Sequence, residues 1–315
     1  RRVGKSFIMR QVIKELSQDS AAHVIYIDKD NEEFSFVQSH EELTKYVKSN
    51  LLSNKRNYLF VDEIQNIKEF EVSLRSFHTN DECEMVITGS NAKMLSSELS
   101  TYLSGRCVEY HIQSLDYREF LTFHRLPDNS QSLHNYLKYG GLPQLHRIGL
   151  EETELVDDYL KSVYHTIVLK DVIEREEIRN VPLLKNLIRF VGDNVGKVFS
   201  ASSIVKYLKS QQVDSSTRVI LNYLEYLCNA YIINRVNRYD IHGKRLFELN
   251  DKFYFEDIGI RNSLVASGRS SSMEKVIENV IYLHLVRLGY EVTVGQLQKA
   301  EIDFVAQKKD ETIYI

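Results

Sequence analysis

Short, continuous apolar runs alternate with amphipathic stretches through the first third of the chain. His23 to Asp28 and Tyr58 to Val61 have the apolar continuity of strands buried on both faces, and Glu84 to Thr88 reads as another strand. Between and before them lie helical periods. Ile8, Met9, Val12, Ile13 and Leu16 recur at i, i+4 and i+8 and predict a first helix. Leu43, Tyr46, Val47 and Leu51 predict a second over roughly residues 40 to 52, and a third covers about 68 to 78. A further strand is expected over Cys107 to Ile112. Strand and helix in alternation imply right-handed crossovers and a parallel sheet covered on both faces, an α/β fold.

The pattern then turns helical. Leu133 to Lys138 and Glu154 to Glu177 read as helices around the punctuating Tyr139-Gly140-Gly141-Leu142-Pro143. The charges of Lys170, Asp171, Glu174 and Arg175 read as solvated faces. From Val195 to Phe255 the elements shorten. Ser200 is a good N-cap for Ala201 to Lys209, Gln211 to Asp214 form a turn, and Ser215 or Ser216 caps a longer helix. A hairpin follows from Tyr231, turning near His242-Gly243. Helix, turn, helix and hairpin make a winged helix, which places the second helix where a major groove can be read. Met273 to Leu288 is then a helix, Tyr290 to Val294 a strand, and Glu301 to Ala306 a strand leading to a turn at Lys308-Lys309-Asp310.

A length of 315 residues exceeds one ordinary core. The expected domains are residues 1–125, a helical lid over 126–190, the winged helix over 191–262, and a truncated α/β domain over 263–315. Both ends read as cut: Arg1 is no initiator, and Thr312 to Ile315 stop within a strand. The net charge of −4 argues against a surface that grips nucleic acid all over, while permitting a local basic patch. Lys206, Lys209, Arg218, Arg235, Arg238, Lys244 and Arg245 outnumber the acids near the winged helix. They make DNA a candidate partner; protein contact and interdomain packing are the other uses of such a module. No apolar run approaches a membrane span and no secretory signal opens the chain, so no membrane partner is expected. Cys83, Cys107 and Cys228 are far apart and read as reduced, buried residues of a cytoplasmic protein.

The candidate chemistry lies at strand ends and at the first helix. Gly4-Lys5-Ser6 fill the last places of the phosphate-loop pattern G-x-x-x-x-G-K-[ST]. In that pattern backbone N–H groups wrap the phosphates, the Lys reaches the β- and γ-phosphates, and the hydroxyl binds Mg²⁺. The first Gly would fall two positions before Arg1. Asp62-Glu63 end an apolar strand, where one carboxylate can orient Mg²⁺ and the next polarise an attacking water. Thr88-Gly89-Ser90-Asn91 end the neighbouring strand, where a hydroxyl or amide can sense the γ-phosphate. Arg106, after Gly105, is either an arginine finger toward a neighbouring subunit's nucleotide or a solvated surface residue.

These residues, with Tyr58 to Asn66, Val86 to Asn91, Ser104-Gly105-Arg106 and Ser114 to Phe120, carry a resemblance over nearly the whole chain. The sequence resembles the bacterial and archaeal AAA+ ATPases whose C-terminal part is the DUF4143 region, which begins at a matching Gly140-Gly141-Leu142-Pro143. The resemblance implies ATP and Mg²⁺ as cofactors. Lys5 and Ser6 would bind nucleotide and metal, Asp62 would sit on the metal, and Glu63 would be the hydrolytic base. Asn91 or Ser90 would be the sensor, and Arg106 the finger of a homo-oligomer. The chain's end resembles a restriction-endonuclease-like fold, in which Glu278 and Asp303 would hold Mg²⁺. A structural copy, with Glu278 paired and Asp303 at a strand edge, is the alternative. The expected activity is Mg²⁺-dependent ATP hydrolysis coupled to DNA binding. The alternatives are a non-hydrolysing nucleotide switch and an ATP-gated nuclease.

Overall fold

A computed structural model of the chain describes residues 1–91, 106–240, 251–265, 273–297 and 300–315. Two compact units emerge, residues 4–112 and residues 113–315 together with 1–3.

In the unit of residues 4–112, α1 (Lys5–Leu16) leads into β1 (Ala22–Asp28), α2 (His40–Asn50), β2 (Arg56–Asp62), α3 (Phe70–Thr79) and β3 (Glu84–Ile87). The strands form a parallel sheet in the order β1-β2-β3, with Asp28 opposite Asp62 and Val61 opposite Ile87. The α2 start is fixed locally: Glu42 accepts the Gln38 and Ser39 N–H groups at 2.7 and 2.9 Å, which satisfies donors a helix leaves orphaned. Ile25, Ile27, Leu59 and Val61 of the sheet then pack with Leu43 and Val47 of α2 and with Phe70, Leu74 and Phe77 of α3. Each such side chain contributes about 1.5–3 kcal/mol by leaving water.

The helix expected from Ile8 to Leu16 is present as α1, while the strand over Cys107 to Ile112 and the burial of Cys107 are not. Of the residues that set the period of α1 only Met9 is buried, while Ile8 and Val12 stay exposed. Periodicity orders a face, but burial needs a surface to meet it. Cys107 to Ile112 form no strand. Val108 and Tyr110 are 76% and 79% exposed, and apolar content alone does not make a strand ladder. Cys107 is therefore exposed, against the buried reading. Cys83 and Cys228 are half-buried, and burial pushes their thiols up to about 11 and about 12.

The unit of residues 113–315 opens with α4 (Tyr117–His124), α5 (Ser130–Tyr139), α6 (Leu145–Ile148) and α7 (Thr153–Thr166). The last of these runs on as a π-helix, Ile167–Glu174. Buried pairs recur here at Val163-Tyr164, Ile167-Val168 and Asp171-Val172. A spacing of four would rotate an α-helix slowly away from its core, and the wider i→i+5 turn takes up the difference. Asp171 is thus inside, not on the solvated face expected of it.

Next come α8 (Val181–Asp193), α9 (Ala201–Ser210), α10 (Thr217–Asn229), β4 (Ile233–Val236), β5 (Arg238–Asp240), β6 (Lys252–Phe255) and α11 (Ile258–Leu264). Ser200 and Ser216 accept the Ser203 and Val219 N–H groups at 3.2 and 3.3 Å and so cap α9 and α10. Strands β4 and β6 pair antiparallel, while the turn near His242-Gly243, with Lys244 and Arg245, lies outside the described residues. Finally α12 (Met273–Arg287) precedes β7 (Glu291–Leu297), β8 (Ala300–Lys308) and β9 (Glu311–Tyr314), which form a sheet in the order β5-β7-β8-β9. Buried Asn279 on α12 docks β6 by accepting the Phe255 N–H and donating to the Phe255 carbonyl, both at 2.8 Å.

The Gly140-Gly141 pair belongs to packing. Gly140 has φ 74°, and a Cβ there would lie 2.4 Å from Asp257 Oδ1. The Gly141 N–H donates to Asp257 Oδ2 at 2.9 Å, and the other carboxylate oxygen caps α11 through the Ile260 N–H. Burial pushes the Asp257 carboxyl up, against the pull of these N–H donors.

Candidate functional site

The edge formed by the strand tips of residues 4–112 gathers most of the expected nucleotide residues. Glu63 follows β2 with φ 56° and ψ 50°, a left-handed conformation that costs a non-glycine residue on the order of 1 kcal/mol. Main-chain bonds to the tip of β3 hold it there: the Glu63 N–H donates to Thr88 Oγ1 at 3.2 Å and the Ile64 N–H to the Thr88 carbonyl at 3.0 Å. Strained non-glycine backbone of this kind clusters at functional sites.

The turn lets consecutive carboxylates meet the same neighbour strand. Thr88 Oγ1 donates to Asp62 Oδ1 while accepting from Glu63 N–H. Ser90 Oγ donates to Glu63 Oε2 at 3.2 Å, and Gln65 Nε2 donates to the same oxygen. Asp62 and Glu63 are 2% and 8% exposed, as buried as the core around them. Their side-chain partners are hydroxyls and an amide, and neither forms an ion pair among the described residues. Buried carboxylates without a counter-cation favour an incoming one.

Helix α1 belongs to the same edge. Arg10 Nη2 donates to Asp28 Oδ2 at 3.2 Å, and Asp28 stands in register beside Asp62. Gly4 precedes the helix with φ 99°, and nothing lies within 4 Å of the place a Cβ would take. Only glycine adopts that backbone without strain, and the open space permits close approach of a ligand to the main chain. The Phe7 and Ile8 N–H groups both return to the Gly4 carbonyl at 3.0 Å. The N–H groups of Lys5 and Ser6 remain at the helix N-terminus, where the dipole favours an anion. These features fit phosphates and an accompanying Mg²⁺.

Among the other expected site residues, Ser90 reaches Glu63, whereas Asn91, 2% exposed, sits next to it in the chain. Arg106 is exposed, and no hydrogen bond or ion pair joins it to Asp62 or Glu63 among the described residues. Asp28 and Gln65 were missed by sequence reasoning. Asp28 carried a signal: it ends its strand as Asp62 ends the next. Gln65 carried none, because its role depends on the left-handed turn at Glu63.

A second carboxylate cluster lies in the unit of residues 113–315. Glu278 and Asp303 do come together, but around Lys252 of β6, whose side chain is 1% exposed. Lys252 Nζ lies 3.0 Å from Glu278 Oε1, 2.7 Å from Glu301 Oε1 and 2.9 Å from Asp303 Oδ1. Tyr254 OH also donates to Glu278 Oε1 at 2.7 Å. Burial pulls the Lys252 ammonium down, and the hydrogen bonds to Glu301 and Asp303 with the charge of Glu278 more than reverse it. Here the cluster is built round a protein cation. Among the described residues no group of three or more His, Cys, Asp or Glu is placed to hold a metal.

Residues 1–121 match the AAA domain family, and residues 130–271 match a domain of unknown function, DUF8612, where the sequence had resembled DUF4143. An uncharacterized protein of Haemophilus influenzae is 32% identical over 322 residues, an alignment spanning all of this chain and 80% of that protein. The chain belongs to this AAA-domain family. An uncharacterized protein of Methanocaldococcus jannaschii is 28% identical over 92% of this chain and 66% of its own length. Among solved structures, the Walker-type ATPase PABY2304 of Pyrococcus abyssi is similar with a TM-score of 0.54 at 14% identity, covering 84% of this chain and 88% of that one. That likeness concerns the fold. No helix among the described residues is long and apolar enough to cross a membrane.

Proposed function

We propose that this AAA-domain protein binds ATP with Mg²⁺ and hydrolyses it at the strand-tip edge of residues 4–112. The observation that carries the reading is the pair of buried carboxylates, Asp62 and Glu63, held by Thr88, Ser90 and Gln65 with no cation partner among the described residues. Lys5 and the N–H groups at the start of α1 would hold the phosphates, and Ser6 and Asp62 would hold the metal. Mg²⁺, when bound, supplies charge neutralisation on the phosphate oxygens. Glu63 orients the attacking water and accepts its proton at the carboxylate. Ser90 and Gln65 keep that carboxylate aimed, and Thr88 couples its position to Asp62 through one hydroxyl. Arg106, exposed in the single chain, is the residue we assign to a neighbouring subunit's nucleotide.

The helix–turn–helix and hairpin of residues 201–255 serve in this reading as a winged-helix DNA contact. Lys206, Lys209 and Arg218 are exposed on it, whereas Arg235 is engaged by Asp251 at 2.6 Å. Steady-state ATP turnover with and without duplex DNA, alongside an electrophoretic shift with and without ATP and Mg²⁺, tests the whole. Turnover that DNA stimulates supports it. ATP binding without turnover in either arm replaces hydrolysis by a nucleotide switch. The nuclease alternative is not favoured, because the ammonium of Lys252 lies within 3.0 Å of both Glu278 and Asp303, in the place a metal between them would take.

A further inference from the structure

We infer that the cleft lined by α4, α5 and α6 is a binding site for a small anion, a phosphate or a carboxylate carried by a compact molecule. It lies wholly within the unit of residues 113–315 and does not depend on the nucleotide reading.

The cleft measures about 600 Å³, within the range of sites that hold small molecules. One face of α5 forms a wall: Gln131, His134, Asn135 and Lys138 follow at i, i+3, i+4 and i+7, and all four line it. His124, at the end of α4, and His146 of α6 line the same cleft.

This lining is rich in donors and poor in acids. Lys138 Nζ donates to Tyr139 OH at 2.8 Å and lies 4.6 Å from the centre of that ring, and it forms no ion pair among the described residues. An ammonium has three N–H donors, and this bond uses one. Gln131 donates to Asn135 Oδ1 at 3.1 Å, which takes up the amide oxygen and leaves the NH₂ group to donate elsewhere. Glu151 is the single acid among the described lining residues. It is folded onto Gly149, where a Cβ would lie 2.6 Å from Glu151 Oε1.

His124 gives a separate sign. Its ring centre lies 4.3 Å from that of Phe120 and 5.5 Å from that of His146. Its Nε2 is shielded from water and has no hydrogen-bond partner. Buried polar atoms are nearly always paired, so an orphaned one calls for a partner. Burial, and then His146, push the imidazole down to about 4. At neutral pH the ring is therefore uncharged, and it can carry its proton at Nε2 as a donor. Among the described residues no three of His, Cys, Asp or Glu are placed to hold a metal, which sets this group of histidines apart from a metal centre. An oxyanion would take N–H groups from Lys138, Asn135 and His124, whereas a cation would meet an ammonium.

The experiment uses the full chain carrying Lys5→Ala, so that the phosphate loop contributes nothing, at fixed ionic strength in chloride. Calorimetric titrations with inorganic phosphate and with citrate are its two arms. The expected result is saturable binding of at least one probe with a Kd below about 10 mM. Lys138→Met should weaken it about 10- to 100-fold and His124→Phe about 10-fold, the scale of hydrogen bonds to a charged group. Binding of phosphate alone assigns a phosphate-bearing ligand, and binding of citrate alone a carboxylate. Arg147→Met removes an exposed cation outside the lining and should leave binding unchanged. Lys138 is itself exposed, so its replacement spares the core and carries the test if His124→Phe does not fold. No saturable binding of either anion, or equal weakening by Arg147→Met, overturns the inference.

Discussion

Asp62 and Glu63 at the tip of β2 are held by hydroxyls and an amide, whereas Glu278, Glu301 and Asp303 close round the ammonium of Lys252. The first stands at strand tips and the second joins a residue of α12 to residues of β8, and both were legible as acidic residues in promising places. Their neighbours separate them. A carboxylate pair held by neutral donors keeps its charge for something that arrives. A cluster that encloses its own cation has part of that charge, one of three, balanced within the fold. Acidic residues at strand ends therefore say little about function until the nearest cation is known.

The contrast breaks most readily at Glu63. Glu63→Gln should lower ATP turnover by about 10²- to 10⁴-fold, the usual scale for losing a general base. ATP affinity should stay within a factor of about two, because the amide leaves the phosphate loop intact. Turnover at the wild-type rate would remove the first cluster from the chemistry.

Lys252→Met tests the other side as a loss of stability. Removing one partner of a buried ion pair typically costs about 3–5 kcal/mol. The partial exposure of Glu301 and Asp303, 39% and 57%, lets water reclaim them and favours the lower end. Urea unfolding should show the loss, while ATP turnover of the folded fraction stays at the wild-type level. A variant as stable as wild type would refute the structural assignment.

Thr88→Val removes one hydroxyl that serves both Asp62 and the Glu63 N–H. It should cost about 1–3 kcal/mol, the scale of a buried polar group left without its partner, together with a fall in turnover. A fall in stability with unchanged turnover would mean that the hydroxyl only packs.

The smallest effect is one of pH. The folded-state pKa of Lys252 is raised above its ordinary value of 10.5. Its contribution is therefore fully present below that value and is lost as pH rises through the folded-state pKa. Urea unfolding at about pH 9 and about pH 11.5 should show a decline that is smaller in Lys252→Met. In the opposite sense, burial and then the neighbouring His146 push the His124 imidazole down to about 4. Stability is therefore lost as pH falls from its ordinary 6.5 toward 4, a loss that His124→Asn should reduce.

Much of the nucleotide edge could be read in advance. Strands β1 and β2 announced themselves as apolar runs, and Asp62-Glu63 fell at the end of the second. The serine caps of α9 and α10 were legible because capping is local: the side chain bonds an N–H three residues on. The Cys107 to Ile112 strand failed for the opposite reason, since a strand exists only with a partner. Asp171 failed likewise. Its charge suggested solvent, and nothing nearby in the chain reveals a guanidinium arriving from position 1.

By itself, the sequence determined the order of elements, the caps, the glycine that must adopt φ 99° and the residue types available for chemistry. These depend on periodicity, local hydrogen bonding and backbone sterics, all settled within a few residues. Only the tertiary structure decided which carboxylates already face a cation. Lys252 lies 26 residues from Glu278 and 51 from Asp303, and Arg1 lies 170 from Asp171. Charge compensation acts through space over a few ångströms, and the distance along the chain carries no trace of it.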